Sequence, residues 1–176
     1  MRQVGAAEID AQLPQTQCTR CGYAGCLPYA QAIAAGAAQI NQCPPGGAAL
    51  IARLAKLLDR EVLVLNPAHG FEASARLAWI DPAVCIGCAR CLPPCPVDAI
   101  LGAPRHLHTV IASWCTGCEL CLASCPVDCI QMLDWPQDGP PPPLTDDNRQ
   151  RHRAHEERQT LAAQARATEL AALKKL

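Results

Sequence analysis

The chain has 176 residues, half of them apolar but only six aromatic, with a formal net charge of −1 and thirteen cysteines. Large core-forming side chains are too scarce to hold a fold of this size alone, so cross-links through sulfur are expected, either as disulfides or through metal. The opening MRQVGAAEIDAQLPQTQ has acidic residues and no apolar run of the kind a secretory signal needs. The most apolar stretch, LPYAQAIAAGAAQI, is broken by Gln31 and Gln39 and is shorter than a membrane span. A soluble chain in a reducing cytosol is therefore expected, where clustered cysteines bind metal more often than they pair.

In chain order, residues 17–26 read QCTRCGYAGC, three thiols spaced C-x2-C-x4-C. Ala30, Ile33, Ala37 and Ile40 then fall at helical spacing, Cys43 precedes the turn PPGG, and AALIARLAKLLD repeats Leu50, Leu54 and Leu57 on one face. Two short helices joined by a cysteine-bearing turn are predicted, followed by a short strand at EVLVL (61–65) that NPAHG ends. The next segment is duplicated: CIGCARCLPPCPVDAI (85–100) and CTGCELCLASCPVDCI (115–130) lie thirty positions apart and match at ten of sixteen places. A duplicated half-domain with pseudo-twofold symmetry follows. DGPPPPL reads as a polyproline spacer. The last segment, rich in helix formers, opens on Asp146 and Asp147 and closes on Lys174 and Lys175, which suits a helix dipole. One exposed helix is predicted there, without a firm docking face, because Leu161 and Leu170 fall on opposite sides of the wheel. From Arg149 onward it carries seven basic and three acidic residues, so the tail is basic and the body acidic.

The expected fold is α+β: a small, mostly helical four-cysteine module over 1–70 and a two-cluster, bacterial-ferredoxin-like domain over 71–136. A Pro-rich linker over 137–145 and a basic helix over 146–176 complete it.

Each repeat has the spacing C-x2-C-x2-C-x3-C-P, the run that holds four-iron clusters in bacterial ferredoxins. Three thiolates two residues apart wrap a loop around one corner of a cubane, and the fourth ligand comes from the other repeat. Cys85, Cys88, Cys91 and Cys125 are thus expected to hold one cluster, and Cys115, Cys118, Cys121 and Cys95 the other. Pro96 and Pro126 close the loops. Zinc and a disulfide framework are the alternatives, but zinc prefers two C-x2-C pairs in a closed tetrahedron. For Cys18, Cys21 and Cys26, the fourth thiol is expected to be Cys43, one helix further on, with Gly22 and Gly25 letting backbone amides approach; a zinc site or a redox-active dithiol remains open there. Cys129 stands where the first repeat has Ala99, so it reads as a small buried thiol and not a ligand. His106 and His108 read as surface or packed histidines, and Trp79, Trp114 and Trp135 as shields against water. No G-x-G-x-x-G, no Walker loop and no C-x3-C-x2-C is present, so no catalytic site is expected.

At LPQTQC, CGYAGCLPYAQAI, INQCPPGG, NPAHG and the two CPVD repeats, residues 12 to about 135 resemble the B subunit of the Rnf-type (Rsx) electron transport complex. The resemblance implies an electron-carrier subunit of a membrane-bound, ion-translocating oxidoreductase that passes electrons between ferredoxin and NAD through [4Fe-4S] clusters. It implies other subunits of that complex, ferredoxin or similar redox proteins as partners, and a place on the cytoplasmic side of the inner membrane. Family members typically begin with a membrane-anchoring helix, which is not expected here; peripheral docking, or work as a free polyferredoxin-like carrier, would follow. No nucleic-acid partner is expected. Three loaded clusters would each add roughly two negative charges, taking the protein to roughly −7, so partners are expected to offer a basic patch.

Overall fold

The computed structural model describes residues 4–72, 74–138 and 141–174. Gly139 and Pro140 of the spacer and Lys175 of the tail lie outside them. The elements are α1 (Ala6–Asp10), α2 (Cys26–Ala34), α3 (Gly47–Leu58), β1 (Arg76–Ile80), β2 (Ile100–Leu101), β3 (Thr109–Val110), β4 (Ile130–Asp134) and α4 (Thr145–Leu173).

Three helices wrap one small core. Ile9 and Leu13 from around α1, Tyr29, Ala30 and Ile33 from α2, and Leu50, Ile51 and Leu54 from α3 are all buried in it, with Cys21, Cys26 and Cys43 at its edge. The α3 apolar residues recur every three to four positions, so burial of one face holds the helix. Asp59, in the left-handed conformation at φ 51°, ends it. Helix α2 stops at Ala34, where Gly36 turns left-handed at φ 73° and the amides of Ala37 and Ala38 bond back to the Ala32 carbonyl. Ala37 therefore leaves the core, while Ile40 re-enters it on the returning chain. The Tyr29 hydroxyl donates to Gln39 O (2.7 Å) and accepts from Gln42 N (3.1 Å), fixing the approach to Cys43.

The strand expected at 61–65 does not form. Its alternation is real, with Leu63 and Leu65 packed on the core and Val62 and Val64 exposed. Among the described residues no second strand lies beside it; the side chain of Asn41 donates to Val64 O (2.7 Å) and Asn66 N donates to Asn41 O (2.9 Å), so single bonds replace a ladder.

A second core gathers around two antiparallel two-stranded sheets, β1 with β4 and β2 with β3. Ile80 faces Ile130 and Ile100 faces Val110, and these two pairs are each other's image under the thirty-residue repeat. The same exchange relates Asp81 N to Cys129 O (2.8 Å) and Ile111 N to Ala99 O (2.7 Å). Each repeat thus pairs its first strand with the last strand of the other, which is the pseudo-twofold expected from the duplication. The glycine in each cysteine loop is needed for this. Gly87 (φ 68°) and Gly117 (φ 67°) are left-handed, and a Cβ would lie 2.8 Å from His106 O and 2.6 Å from Arg76 O respectively, again thirty residues apart.

Helix α4 crosses both modules with its first half. Arg149 reaches Asp10, His152 Nδ1 lies 3.1 Å from Pro96 O, His155 Nδ1 lies 2.8 Å from Asp98 Oδ1, and Gln159 donates to Pro93 O (3.2 Å). Arg158 also pairs with Asp98. From residue 160 on, the helix is exposed.

Candidate metal centres

The strand exchange decides which thiols meet. Cys95 precedes β2, which pairs with β3, and β3 leads into Cys115; Cys125 precedes β4, which pairs with β1, and β1 leads into Cys85. Each fourth cysteine is thereby carried to the loop of the other repeat. An inner quartet forms from Cys95, Cys115, Cys118 and Cys121, which together line one cavity with Ala99 and Val110. Burial, then Cys118, Cys115 and Cys95 in turn, push the Cys121 thiol up to about 12. An outer quartet forms likewise: burial, outweighing its own loop amide, and then Cys88, Cys85 and Cys125 push Cys91 up to about 11.

The amino-terminal thiols form a third group. Cys43 is pushed up by burial first, then by Cys26, Cys18 and Cys21; burial, then Cys18, Asp10 and Cys21, push Cys26 up to about 12 against the opposing Gln17 contact. All four sulfurs therefore share one electrostatic environment. The loop that carries them is held by two buried glutamines, both left-handed at φ 55° and 53°. Gln15 Nε2 donates to Asp10 Oδ1 (2.8 Å), Gln17 Nε2 donates to Gln15 Oε1 (2.8 Å), and Cys26 N donates to Gln17 Oε1 (2.8 Å). Arg149 Nε closes the chain on Asp10 Oδ2 at 3.1 Å. A relay of polar contacts thus runs from α4 to the first residue of α2.

These donor sets can be tested against what they would hold. Buried thiols that raise one another's pKa resist ionising together unless a highly charged cation compensates them. No three His, Cys, Asp or Glu side chains among the described residues converge on a single ion. Zinc needs four sulfurs about 2.3 Å from one point, whereas a cubane is met by thiolates set apart around its corners. The inner quartet, whose four thiols line one cavity without converging on a point, fits the polynuclear centre. All thirteen cysteines are free, so the disulfide framework is not what the structure carries.

The outer quartet has two further neighbours. His108, only 3 % exposed, places Nδ1 3.6 Å from Cys85 Sγ, in room left by Gly102. Cys129 Sγ lies 3.4 Å from Cys125 Sγ. Burial opposes ionisation of Cys125, but the amides of Val127, Cys129 and Asp128 and the Cys129 thiol outweigh it and lower its pKa; Cys129 is pushed up to about 12 by burial and by Cys125. The two thiols thus shift in opposite directions. Repeat 1 has an alanine at the corresponding place, so Cys95 Sγ meets backbone amides, Ala99 N among them (3.2 Å), and no second thiol. Of the expected shields, Trp114 lies half-buried beneath the Arg151 guanidinium (3.7 Å to the ring centre), and Trp79 is 41 % exposed. His106 is exposed, as expected.

Sequence reasoning read His108 only as a surface or packed histidine, and had no reason to single out Gln15, Gln17 or Arg149. The only signal for the last is polar: Arg149, His152, His155 and Gln159 recur at helical spacing on one side of α4, whereas a docking helix is ordinarily recognised by an apolar stripe.

Two family models match the chain, "4Fe-4S dicluster domain" over residues 78–132 and "Putative Fe-S cluster" over residues 13–45. Its relatives include proteins named as the B subunit of an ion-translocating oxidoreductase complex. That of Hahella chejuensis is 57% identical over 145 residues, 78% of this chain and 73% of the relative. That of Alkalilimnicola ehrlichii is 61% identical over 130 residues, 73% and 69%. That of Azoarcus sp. is 62% identical over 104 residues, covering 59% of this chain and 57% of the relative. These names do not favour the free-carrier reading, and no helix among the described residues is long and apolar enough to cross a membrane. With an iron–sulfur model on each cysteine-bearing module and B-subunit relatives aligned over more than two thirds of both chains, the chain belongs to the B-subunit family of ion-translocating oxidoreductase complexes, that of the [4Fe-4S] electron-transfer subunit of the Rnf type.

Proposed function

We propose that the chain holds three [4Fe-4S] clusters and relays low-potential electrons between redox partners of a membrane-bound, ion-translocating oxidoreductase, docked on its cytoplasmic face. The ligands are Cys18, Cys21, Cys26 and Cys43 in a domain over 1–70, and the inner and outer quartets in a domain over 71–136. Residues 137–145 link these to the helix of 146–176. The clusters, when bound, supply reversible one-electron storage at low potential. The protein's part is to set their surroundings and their order.

The observation that carries this reading is the exchange of strands, which gives each repeat's three-thiol loop its fourth thiol from the other repeat. The order follows from the contact between modules. The Thr116 hydroxyl donates to Thr16 O (3.1 Å) and Arg20 pairs with Glu119 (2.6 Å), so the amino-terminal quartet sits against the loop of the inner quartet. The inner quartet then stands between the other two. Anaerobic coulometric titration tests the relay: about three one-electron equivalents per chain are expected, and about two for Cys43→Ala. A chain that takes up two with Cys43 intact removes the third centre from the proposal.

A further inference from the structure

The quartets of the two repeats differ in exposure. Cys95, Cys115 and Cys121 of the inner quartet are buried and Cys118 is half-buried, whereas in the outer quartet Cys88 is exposed and Cys85 and Cys125 are half-buried. In the proposed order the inner centre also stands between two other anionic centres. Burial and neighbouring negative charge both oppose the uptake of an electron, so with nothing else acting the middle centre would be the hardest of the three to reduce. A relay fails at such a point. Helix α4 brings a cation to it. The Arg151 guanidinium lies 3.7 Å from the centre of the Trp114 ring, and that ring packs on the core containing Cys95, Cys115 and Cys121. Ordinary pairing does not account for this seat. Arg149 and Arg158 on the same helix meet Asp10 and Asp98, but among the described residues Arg151 meets no carboxylate, and its Nε is buried without a hydrogen-bond partner. The one carboxylate of residues 114–125, Glu119, is already paired with Arg20 and Arg76. A charged N–H left unpaired away from water costs free energy, which contact with an aromatic face offsets only in part.

We propose, resting on the three-cluster relay, that Arg151 is a positioning residue for electron transfer: held against the inner quartet by Trp114, its charge raises the midpoint potential of that centre and keeps the middle of the relay reducible. A loaded cluster carries roughly two negative charges, so the inner one supplies the counter-charge that Arg151 otherwise lacks. The ring and the core beneath it exclude water, so the charge acts with little screening. The first repeat has no counterpart. The twin of Trp114 is Val84, 45% exposed, and the arginines of that repeat, Arg90 and Arg105, are exposed to water and salt. At an effective dielectric of about 20, a unit charge about 10 Å from a centre changes its one-electron equilibrium roughly tenfold.

The test is an EPR-monitored redox titration of the loaded full-length chain, with the inner centre identified as the one whose signal Cys121→Ser alters. Arg151→Met removes the charge and keeps the apolar stem; Arg151→Lys keeps the charge. Both are expected to retain wild-type iron and sulfide. For Arg151→Met the inner midpoint should move negative by roughly a tenfold change in the one-electron equilibrium, about 59 mV, with the outer midpoint in place and the shift undiminished at high salt. Arg151→Lys should stay closer to wild type. The sign separates this role from a merely structural one, because a helix that only loosens admits water to the quartet, and water moves the midpoint positive. Arg151→Gln, with a neutral planar head over the ring, should reproduce the negative shift and serves where the methionine variant loads less iron. An inner midpoint that stays put or moves positive in a fully loaded variant overturns this proposal alone. A wild-type chain that binds no iron overturns the relay and the role of Arg151 together.

Discussion

Removing the Arg149 side chain should loosen the amino-terminal quartet from a distance. Its guanidinium meets Asp10 Oδ2 at 3.1 Å and Asp10 O at 3.2 Å, and also pairs with Asp146. Asp10 is 6% exposed, and its other oxygen is taken by Gln15. Arg149→Ala therefore strands one buried carboxylate oxygen. Breaking a fully buried pair costs about 3–5 kcal/mol; the Arg149 side chain retains 17% exposure, so water enters the space it leaves and about 2 kcal/mol is the better figure. At 1.36 kcal/mol per factor of ten, that is roughly thirtyfold in local opening. Hydrogen exchange on the loaded protein reads this directly. Amides of residues 146–159 should exchange roughly thirtyfold faster, and the Cys26 amide, at the far end of the Asp10–Gln15–Gln17 relay, should also lose protection. Amides in β1 and β4 should not change. Arg149→Lys should recover only part of the loss, because an ammonium cannot make both contacts. An unchanged α4, or an equal rise in β1 and β4, would refute the relay.

Four other outcomes follow. Leu54→Ala, at a fully buried position of the first core, should cost about 2–5 kcal/mol and lower the denaturant midpoint of the amino-terminal module. His108→Phe removes the donor 3.6 Å from Cys85, and should move one cluster's midpoint potential negative by roughly 40 mV in an EPR-monitored titration, leaving the others in place. Cys129→Ala should shift the same cluster in the same direction while iron content stays at the wild-type level, which a ligand role for Cys129 would not allow. His155 gives a pH dependence. Burial, against a smaller opposing effect of Glu156, lowers its pKa, and its neighbours fit the neutral ring, with Nδ1–H donating to Asp98 and Nε2 accepting from Gln159. Because the undocked ring takes up a proton first, docking of α4 is at full strength above about pH 6.5 and weakens as pH falls below it, so α4 amides should lose protection near pH 5.5; His155→Gln should flatten that profile.

The repeats were legible because cysteine spacing is a local property: C-x2-C-x2-C-x3-C-P marks a loop wherever it occurs, and the duplication pointed to the pseudo-twofold, while the strands that build it were not read. Helix α3 was legible through Leu50, Leu54 and Leu57 for the same reason, one face buried at a 3.6 period. What was lost depended on partners far away in sequence. The alternation in EVLVL is that of a strand, but a strand needs a neighbour, and Asn41 provides single bonds in place of one. The length of α4 could be read from propensity; its seat could not, since it is held by Arg149, His155 and Arg158 on Asp10 and Asp98, charges whose pairing no window of sequence reveals. Nothing in the sequence marks Gln15 and Gln17, whose burial depends on Asp10 and the Cys26 amide meeting them in the fold.

Iron and acid-labile sulfide, counted on protein purified without oxygen and checked by native mass spectrometry, bear most directly on the three quartets. About twelve of each per chain, with no zinc, is the predicted result. Zinc in stoichiometric amount, or a well-folded chain holding about four irons or fewer, would contradict it.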